Sequence, residues 1–331
     1  MTPLTVHTAD YHTAGEPFRI VVGGVRPAQG ATVLDRRSWA QAHLDDVRAF
    51  LVNEPRGHAD MYGCFVTPPD DDGAVLGALF FHKDGFSTAC GHGTIAVARW
   101  AIDTGQVPVT GVLTSFAIDV PSGRLTVEAD TAGGEVGEIR FTNVASWVSA
   151  LDVTVAVDGA PLLLDVSYGG AFYAGVADGP IVAARLDELI ARARRIKAAM
   201  IGHRAVTHPV DDRLSGLYGV IFHETLAGSP AGLHQRNVVV FADGEVDRSP
   251  CGSGTSARLA VLYARRSLDL GATLRHQGIV GTEFGARVLA ECTSSGHRAV
   301  ITQVGGRASR TGLHTFLLEA GDELGLGFQL R

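Results

Sequence analysis

The pentapeptide Cys90-Gly91-His92-Gly93-Thr94 returns half a chain later as Cys251-Gly252-Ser253-Gly254-Thr255. Each copy is followed by an apolar run with helical spacing. Repetition at this separation points to a duplicated half-domain that presents one cysteine per half at a helix N-terminus. The first-turn N–H groups of a helix have no intrahelical partner, and with the helix dipole they attract an anion. Glycines on either side of the third residue let a carboxylate approach the backbone. The same field stabilises a thiolate, lowering a cysteine pKa from about 8.5 to roughly 3.5–7.5. Each motif therefore offers a general base and part of a carboxylate cradle. Two such thiols around one substrate can take a proton from one face of a carbon and return it to the other. Preorganised N–H donors stabilise the carboxylate as its α-carbon loses the proton, so neither a cofactor nor a metal is expected.

One Cys-Gly-X-Gly alone carries little weight, because free cysteine is commonly a buried and inert residue. Packing does not require the same pentapeptide twice. Cys64 and Cys292 lack these flanks and read as ordinary core or near-surface thiols.

A chain of 331 residues, 46% hydrophobic and 19% charged, has the makeup of a globular enzyme of two domains. The net charge of −7 comes with no basic stripe, which argues against nucleic acid as a partner. Four cysteines give no secreted disulfide framework. The start of the chain reads as no signal peptide, and no apolar run is long enough to cross a membrane. A cytoplasmic location without membrane contact is the expectation.

Short β-like runs alternate with helical segments. Arg19–Val22, Ala74–Phe81 and Leu125–Glu128 read as strands in the first half; Val153–Val157, Gly219–Phe222 and Asn237–Phe241 do so in the second. Ala40, Leu44, Val47 and Leu51 suggest one amphipathic helix between Arg36 and Asn53. Val182, Leu186, Leu189, Ile190, Ala193, Ile196 and Met200 form the stripe of another. The turn-rich Asp130-Thr131-Ala132-Gly133-Gly134 places a boundary near 135.

Asp247, four residues before Cys251, reads equally as an acceptor for a substrate ammonium and as an Asx-type turn. His92 reads as a carboxylate or thiol partner, or as a helix cap. The polar stretch Glu54 to Gly63 is a pocket lining or a solvated loop. His203 and His208 lie near Asp211 and Asp212, but no metal-ligand spacing fixes them.

These stretches together resemble the proline racemase superfamily over nearly the whole chain. The matching segments are His12-Thr13-Ala14-Gly15-Glu16-Pro17, the Glu54 to Gly63 loop, both cysteine motifs, Tyr168-Gly169-Gly170-Ala171-Phe172-Tyr173, and Asp247-Arg248-Ser249-Pro250. The resemblance implies an α/β (α+β) fold similar to diaminopimelate epimerase. Its two pseudo-symmetric domains are each a curved sheet around a central helix, with the active site in the cleft between them. It divides the chain into 1–135 with 311–331, carrying Cys90, and 136–310, carrying Cys251. It assigns Cys90 and Cys251 as acid–base thiols, and places Gly91, His92, Gly252 and Ser253 at the substrate carboxylate. It puts Asp247 near the ring nitrogen, His223 in the pocket, and Tyr62 and Phe241 around the ring. The implied partner is a small imino acid, bound by a monomer or homodimer.

The family holds proline racemases, 4-hydroxyproline 2-epimerases and trans-3-hydroxy-L-proline dehydratases. Its dehydratases typically carry threonine in the second motif, since hydroxide leaves from the neighbouring carbon and one base suffices. Cysteine at both positions favours epimerisation. Against that, His58–Gly63 and Tyr168–Tyr173 are similar to the dehydratase branch. Ser87, three residues before Cys90, favours a hydroxylated ring. The expectation is a hydroxyproline 2-epimerase, with the dehydratase and then the proline racemase as alternatives.

Overall fold

The computed structural model describes residues 3–227 and 232–330. The architecture is mixed α/β, with many strands and few helices. Its elements run β1 (Leu4–Thr13), β2 (Glu16–Gly23), α1 (Val33–His43), α2 (Asp45–Val52), β3 (Tyr62–Thr67), β4 (Leu76–His82), β5 (Gly85–Phe86), α3 (Gly91–Asp103), β6 (Leu113–Val120) and β7 (Gly123–Asp130). They continue with β8 (Ile139–Thr142), β9 (Ser146–Val157), β10 (Ala160–Tyr168), β11 (Phe172–Ala177), α4 (Leu186–Ala199), β12 (Leu217–Thr225), β13 (Leu233–Phe241) and β14 (Glu245–Asp247). Last come α5 (Gly252–Ala264), β15 (Thr273–Gln277), β16 (Glu283–Ser294), β17 (His297–Gly306) and β18 (Ala308–Leu318). Two compact units emerge: Met1–Ile139 with Arg307–Arg331, and Arg140–Gly306.

The two units repeat one order of strand pairings. In the first, β18 pairs antiparallel with β1, β1 antiparallel with β2, β2 parallel with β3, β3 antiparallel with β4, β4 parallel with β6, and β6 antiparallel with β7. In the second, the same alternation runs through β9, β10, β11, β12, β13, β15 and β16. Parallel pairs need a crossover connection. α1 and α2 make it between β2 and β3, and α4 between β11 and β12. The cysteine helices α3 and α5 make the other one in each unit. In the second unit β17 joins both β16 and β9, so the sheet closes into a ring.

The two cysteine helices are buried nearly all round. In α3 every residue from Gly91 to Ile102 is buried except Arg99, and in α5 every residue from Gly252 to Leu262 is buried. A helix apolar on all sides belongs in a core, and burying an Ile95 or Leu259 side chain contributes about 1.5–3 kcal/mol. α3 packs on β1, β2, β3 and β18; α5 packs on β9, β10, β11, β16 and β17. α4 supplies Leu189, Ala193 and Ile196, and its C-cap Met200, to a cluster with Val220, Phe222, Val238 and Val240. Those strand residues alternate with Ile221 and Val239, which are also buried. Strands covered on both faces read as continuous apolar runs.

Most of the strand runs read from sequence fall inside β2, β7, β9, β12 and β13. The run Ala74–Phe81 is shifted, with β4 spanning Leu76–His82. The helix expected between Arg36 and Asn53 is two helices. Leu44 breaks it at φ −123°, ending α1 and opening α2. Asp45 and Asp46 favour a helix start there. Leu44 itself is buried, so the apolar spacing reads straight through the break. α1 starts at a capping box between Thr32 and Asp35, earlier than its apolar spacing suggests. The stripe of α4 begins later than expected: Val182 is exposed, and a short 3-10 turn occupies Ala183–Arg185. No helix among the described residues is long and apolar enough to cross a membrane.

Candidate active site

In the first unit Cys90 is the N-cap of α3, with extended backbone at φ −154°. Its Sγ accepts the Gly93 N–H at 3.3 Å and lies 3.5 Å from His92 Nε2. Thr94 closes the turn by donating its hydroxyl to the Cys90 carbonyl at 2.8 Å. Thr13 donates to the His92 carbonyl at 2.9 Å. The imidazole of His92 meets Phe18 and Tyr62 edge-on, at 5.5 and 5.1 Å between ring centres. Tyr62 is buried on β3, and its hydroxyl is hydrogen-bonded to that of Ser87. A Cβ at Gly93 would lie 2.4 Å from the Phe18 ring and 2.8 Å from the thiol, so only glycine fits.

In the second unit Cys251 is the N-cap of α5, at φ +62° and ψ 107°. A short chain of hydrogen bonds fixes this backbone. Asp247 Oδ1 accepts the Ser249 N–H at 2.9 Å and the Ser249 hydroxyl at 2.7 Å. Ser249 Oγ in turn accepts the Cys251 N–H at 3.1 Å. Behind the turn, the Thr255 hydroxyl donates to the Pro250 carbonyl at 3.1 Å and contacts His276 Nδ1 at 2.7 Å. A hydroxyl has one proton, so His276 donates from Nδ1. The Asx-turn reading of Asp247 is thus a fact of the fold.

The lowered thiol pKa expected at a helix start does not hold for Cys251: burial pushes it well up, and the Asp247 carboxylate adds to that shift. The Gly254 N–H and the Tyr173 hydroxyl act in the other direction. Tyr173, fully buried on β11, reaches within 2.7 Å of Ser253 Oγ and 3.8 Å of Cys251 Sγ. Its ring meets Tyr218 edge-on, and Tyr218 stacks on Phe241.

Within each unit the fold gathers most of the residues singled out from sequence. Cys90, Gly91, His92 and Tyr62 form one group; Cys251, Gly252, Ser253 and Asp247 form another, with Phe241 joined through Tyr218 and Tyr173. His223 lies on β12 opposite Asn237. Burial and the nearby Arg258 hold its pKa down at about 3, so it is a neutral imidazole. Arg56, in the loop before β3, is tied to Asp322 at 2.8 Å and to the Gly325 carbonyl, which is a structural use. His208 Nδ1 accepts the Asp211 N–H, and Asp211 pairs with Arg213 at 2.7 Å. Tyr173 and Ser249 were missed as site residues. Ser249 carried a local signal, an Asp-X-Ser turn ahead of the cysteine. Tyr173 lay in the matching stretch Tyr168–Tyr173, but nothing local marked it as a site residue, since its reach to Cys251 comes from the pairing of distant strands.

A family model described as proline racemase matches residues 8–329. A trans-3-hydroxy-L-proline dehydratase from Bacillus cereus is 43% identical over 328 residues, 98% of this chain and 97% of the relative. A 3-hydroxyproline 2-epimerase from Burkholderia multivorans is 40% identical over 334 residues, 99% of this chain and 98% of the relative. Among solved structures, a hydroxyproline epimerase from Agrobacterium vitis with bound trans-4-hydroxy-L-proline superposes with a TM-score of 0.91 at 29% identity, covering 98% of this chain and 95% of that one.

Proposed function

The chain belongs to the proline racemase family, and from that premise we propose that it is a hydroxyproline 2-epimerase using Cys90 and Cys251 as its acid and base. The observation that carries this reading is a cysteine at both helix starts, each with a main-chain N–H turned toward its sulfur. One thiolate takes the α-proton, breaking Cα–H and forming S–H. The charge moves into the substrate carboxylate, held by the first-turn N–H groups beside Gly91, His92, Gly252 and Ser253. The other thiol returns a proton to the opposite face, and the two sulfurs end with their protonation states exchanged. No electron leaves the pair and no other reactant is required.

Asp247 supplies the partner for the ring ammonium. Its negative charge also holds the proton on Cys251. A bound ammonium offsets that charge, so substrate itself favours the thiolate. The position of the ring hydroxyl is proposed as C3, since both relatives above are named for 3-hydroxyproline. The hydroxyl pair of Tyr62 and Ser87, on the Cys90 side, is the candidate partner for that group.

A second reading, trans-3-hydroxy-L-proline dehydratase with Cys90 as sole base, is favoured by the 43% identical Bacillus cereus relative. Proton NMR in deuterated water with trans-3-hydroxy-L-proline separates the two. The epimerase gives cis-3-hydroxy-D-proline carrying deuterium at the α-carbon; the dehydratase gives pyrroline-2-carboxylate. If proline, 4-hydroxyproline and 3-hydroxyproline alike give no α-proton exchange, no epimer and no pyrroline, both readings fall.

A further inference from the structure

We propose that Tyr173 and Ser253 form a two-hydroxyl relay that senses the protonation state of Cys251 and transmits it to the substrate carboxylate. The inference rests on Cys251 being one of the two acid–base thiols. Its geometric basis is a chain of three groups. Tyr173 Oη stands 2.7 Å from Ser253 Oγ and 3.8 Å from Cys251 Sγ, distances that place it between a thiol and the first turn of α5. The phenol is held rigidly. Its ring is fully buried and edge-on to Tyr218. Gly219, its register neighbour on β12, has no side chain to crowd it; a Cβ there would come within 3.3 Å of the ring.

Each hydroxyl carries one proton and can also accept one. Two arrangements satisfy the chain. With Cys251 as thiolate, Tyr173 donates to sulfur and Ser253 donates to Tyr173. With Cys251 as thiol, S–H donates to Tyr173, Tyr173 donates to Ser253, and the Ser253 proton turns outward to the carboxylate. When Cys251 takes the α-proton, only Cα–H breaks and only S–H forms; the two hydroxyls rotate and exchange no proton. The carboxylate therefore gains a hydrogen-bond donor in the same step in which it gains charge. An interaction made only as charge develops accelerates the step without tightening the ground state. The downward pull of the Tyr173 hydroxyl on the thiol pKa agrees with donation to the thiolate. The first unit has a different arrangement, with His92 and the Gly93 N–H beside Cys90. The gain in kcat accordingly belongs to the direction in which Cys251 is the base; in the other direction the same hydrogen bond is already made in the ground state and shows in KM, so kcat/KM changes equally both ways.

The test is the pH dependence of iodoacetamide alkylation on the full chain, with each cysteine followed separately by peptide mass spectrometry. In Tyr173→Phe the alkylation profile of Cys251 moves to higher pH by about one unit while that of Cys90 stays in place. In Ser253→Ala the Cys251 profile moves less, since the phenol still reaches the sulfur. With the substrate epimer that Cys251 deprotonates, Ser253→Ala lowers kcat by about a hundredfold and leaves KM within about threefold. A Cys251 profile in Tyr173→Phe that overlays the parent overturns the relay, as does a Ser253→Ala loss that falls on kcat in both reaction directions, since the relay places the loss on KM when Cys90 is the base. Failure of the two-thiol reading shows elsewhere, as epimerisation that survives Cys251→Ala, whatever the alkylation profiles do.

Discussion

Cys90 and Cys251 hold the same place, each the N-cap of a thirteen-residue buried helix, yet their backbones have opposite hands, φ −154° against φ +62°. A non-glycine residue with positive φ away from a helix-like ψ stores about 1–3 kcal/mol of strain. The second motif therefore needs support that the first does not. It comes from Asp247 and Ser249 ahead of the cysteine, and from Thr255 and His276 behind it. The repeated pentapeptide is one sequence solution built onto two backbones.

Ser249→Ala tests that support. It removes the acceptor of the Cys251 N–H and one donor to Asp247, all of them buried. Leaving such groups unmet costs about 1–3 kcal/mol. Urea denaturation of the variant is expected to show that loss, and turnover is expected to fall by more than substrate affinity. Unchanged stability and unchanged kcat would remove the role given to this turn.

Cys90→Ala and Cys251→Ala are each expected to abolish epimerisation in both directions, a loss of at least about a thousandfold for a missing acid or base. Chiral chromatography of the product mixture reads this directly. Pyrroline formation that survives Cys251→Ala but not Cys90→Ala would instead favour the dehydratase reading.

Asp247→Asn separates the two effects of that carboxylate. Removing its charge takes away one of the causes that raise the Cys251 pKa, so alkylation of Cys251 near neutral pH is expected to quicken. The same change removes the proposed ammonium partner, so KM is expected to rise by about tenfold or more, the scale of a lost charged hydrogen bond. A more reactive thiol in a poorer enzyme is the signature; a slower thiol contradicts it.

The legible part of this molecule was the part written in short-range pattern. The cysteine motifs marked the starts of α3 and α5 because glycines and a following apolar run are local signals. The strands buried on both faces, such as Asn237–Phe241, showed as unbroken apolar runs. The break at Leu44 was not legible, since a buried leucine continues the helical spacing whether or not the backbone bends. The hand of Cys251 was hidden too: the same five-letter pattern stands at both signs of φ, and the difference lies in what Asp247 and Ser249 do just upstream. Tyr173 needed the parallel register of β11 with β12 to bring it toward α5, and nothing near it in sequence reports that register.

Stability is expected to fall in acid, for a reason the second unit makes specific. Burial and then Arg258 lower the His223 pKa to about 3, and burial together with Arg258, His223 and His234 drives His276 well below its usual value. Both imidazoles are neutral in the folded chain, while in the unfolded chain each titrates near 6.5. Between about pH 6.5 and 3 the unfolded state therefore binds more protons than the folded state, and the folding free energy declines as pH falls through that window. His223→Gln removes one of the two groups and is expected to flatten the acid limb of a plot of Tm against pH while leaving the neutral region less affected. An acid limb of unchanged slope in that variant would show that His223 does not carry the proton linkage assigned to it.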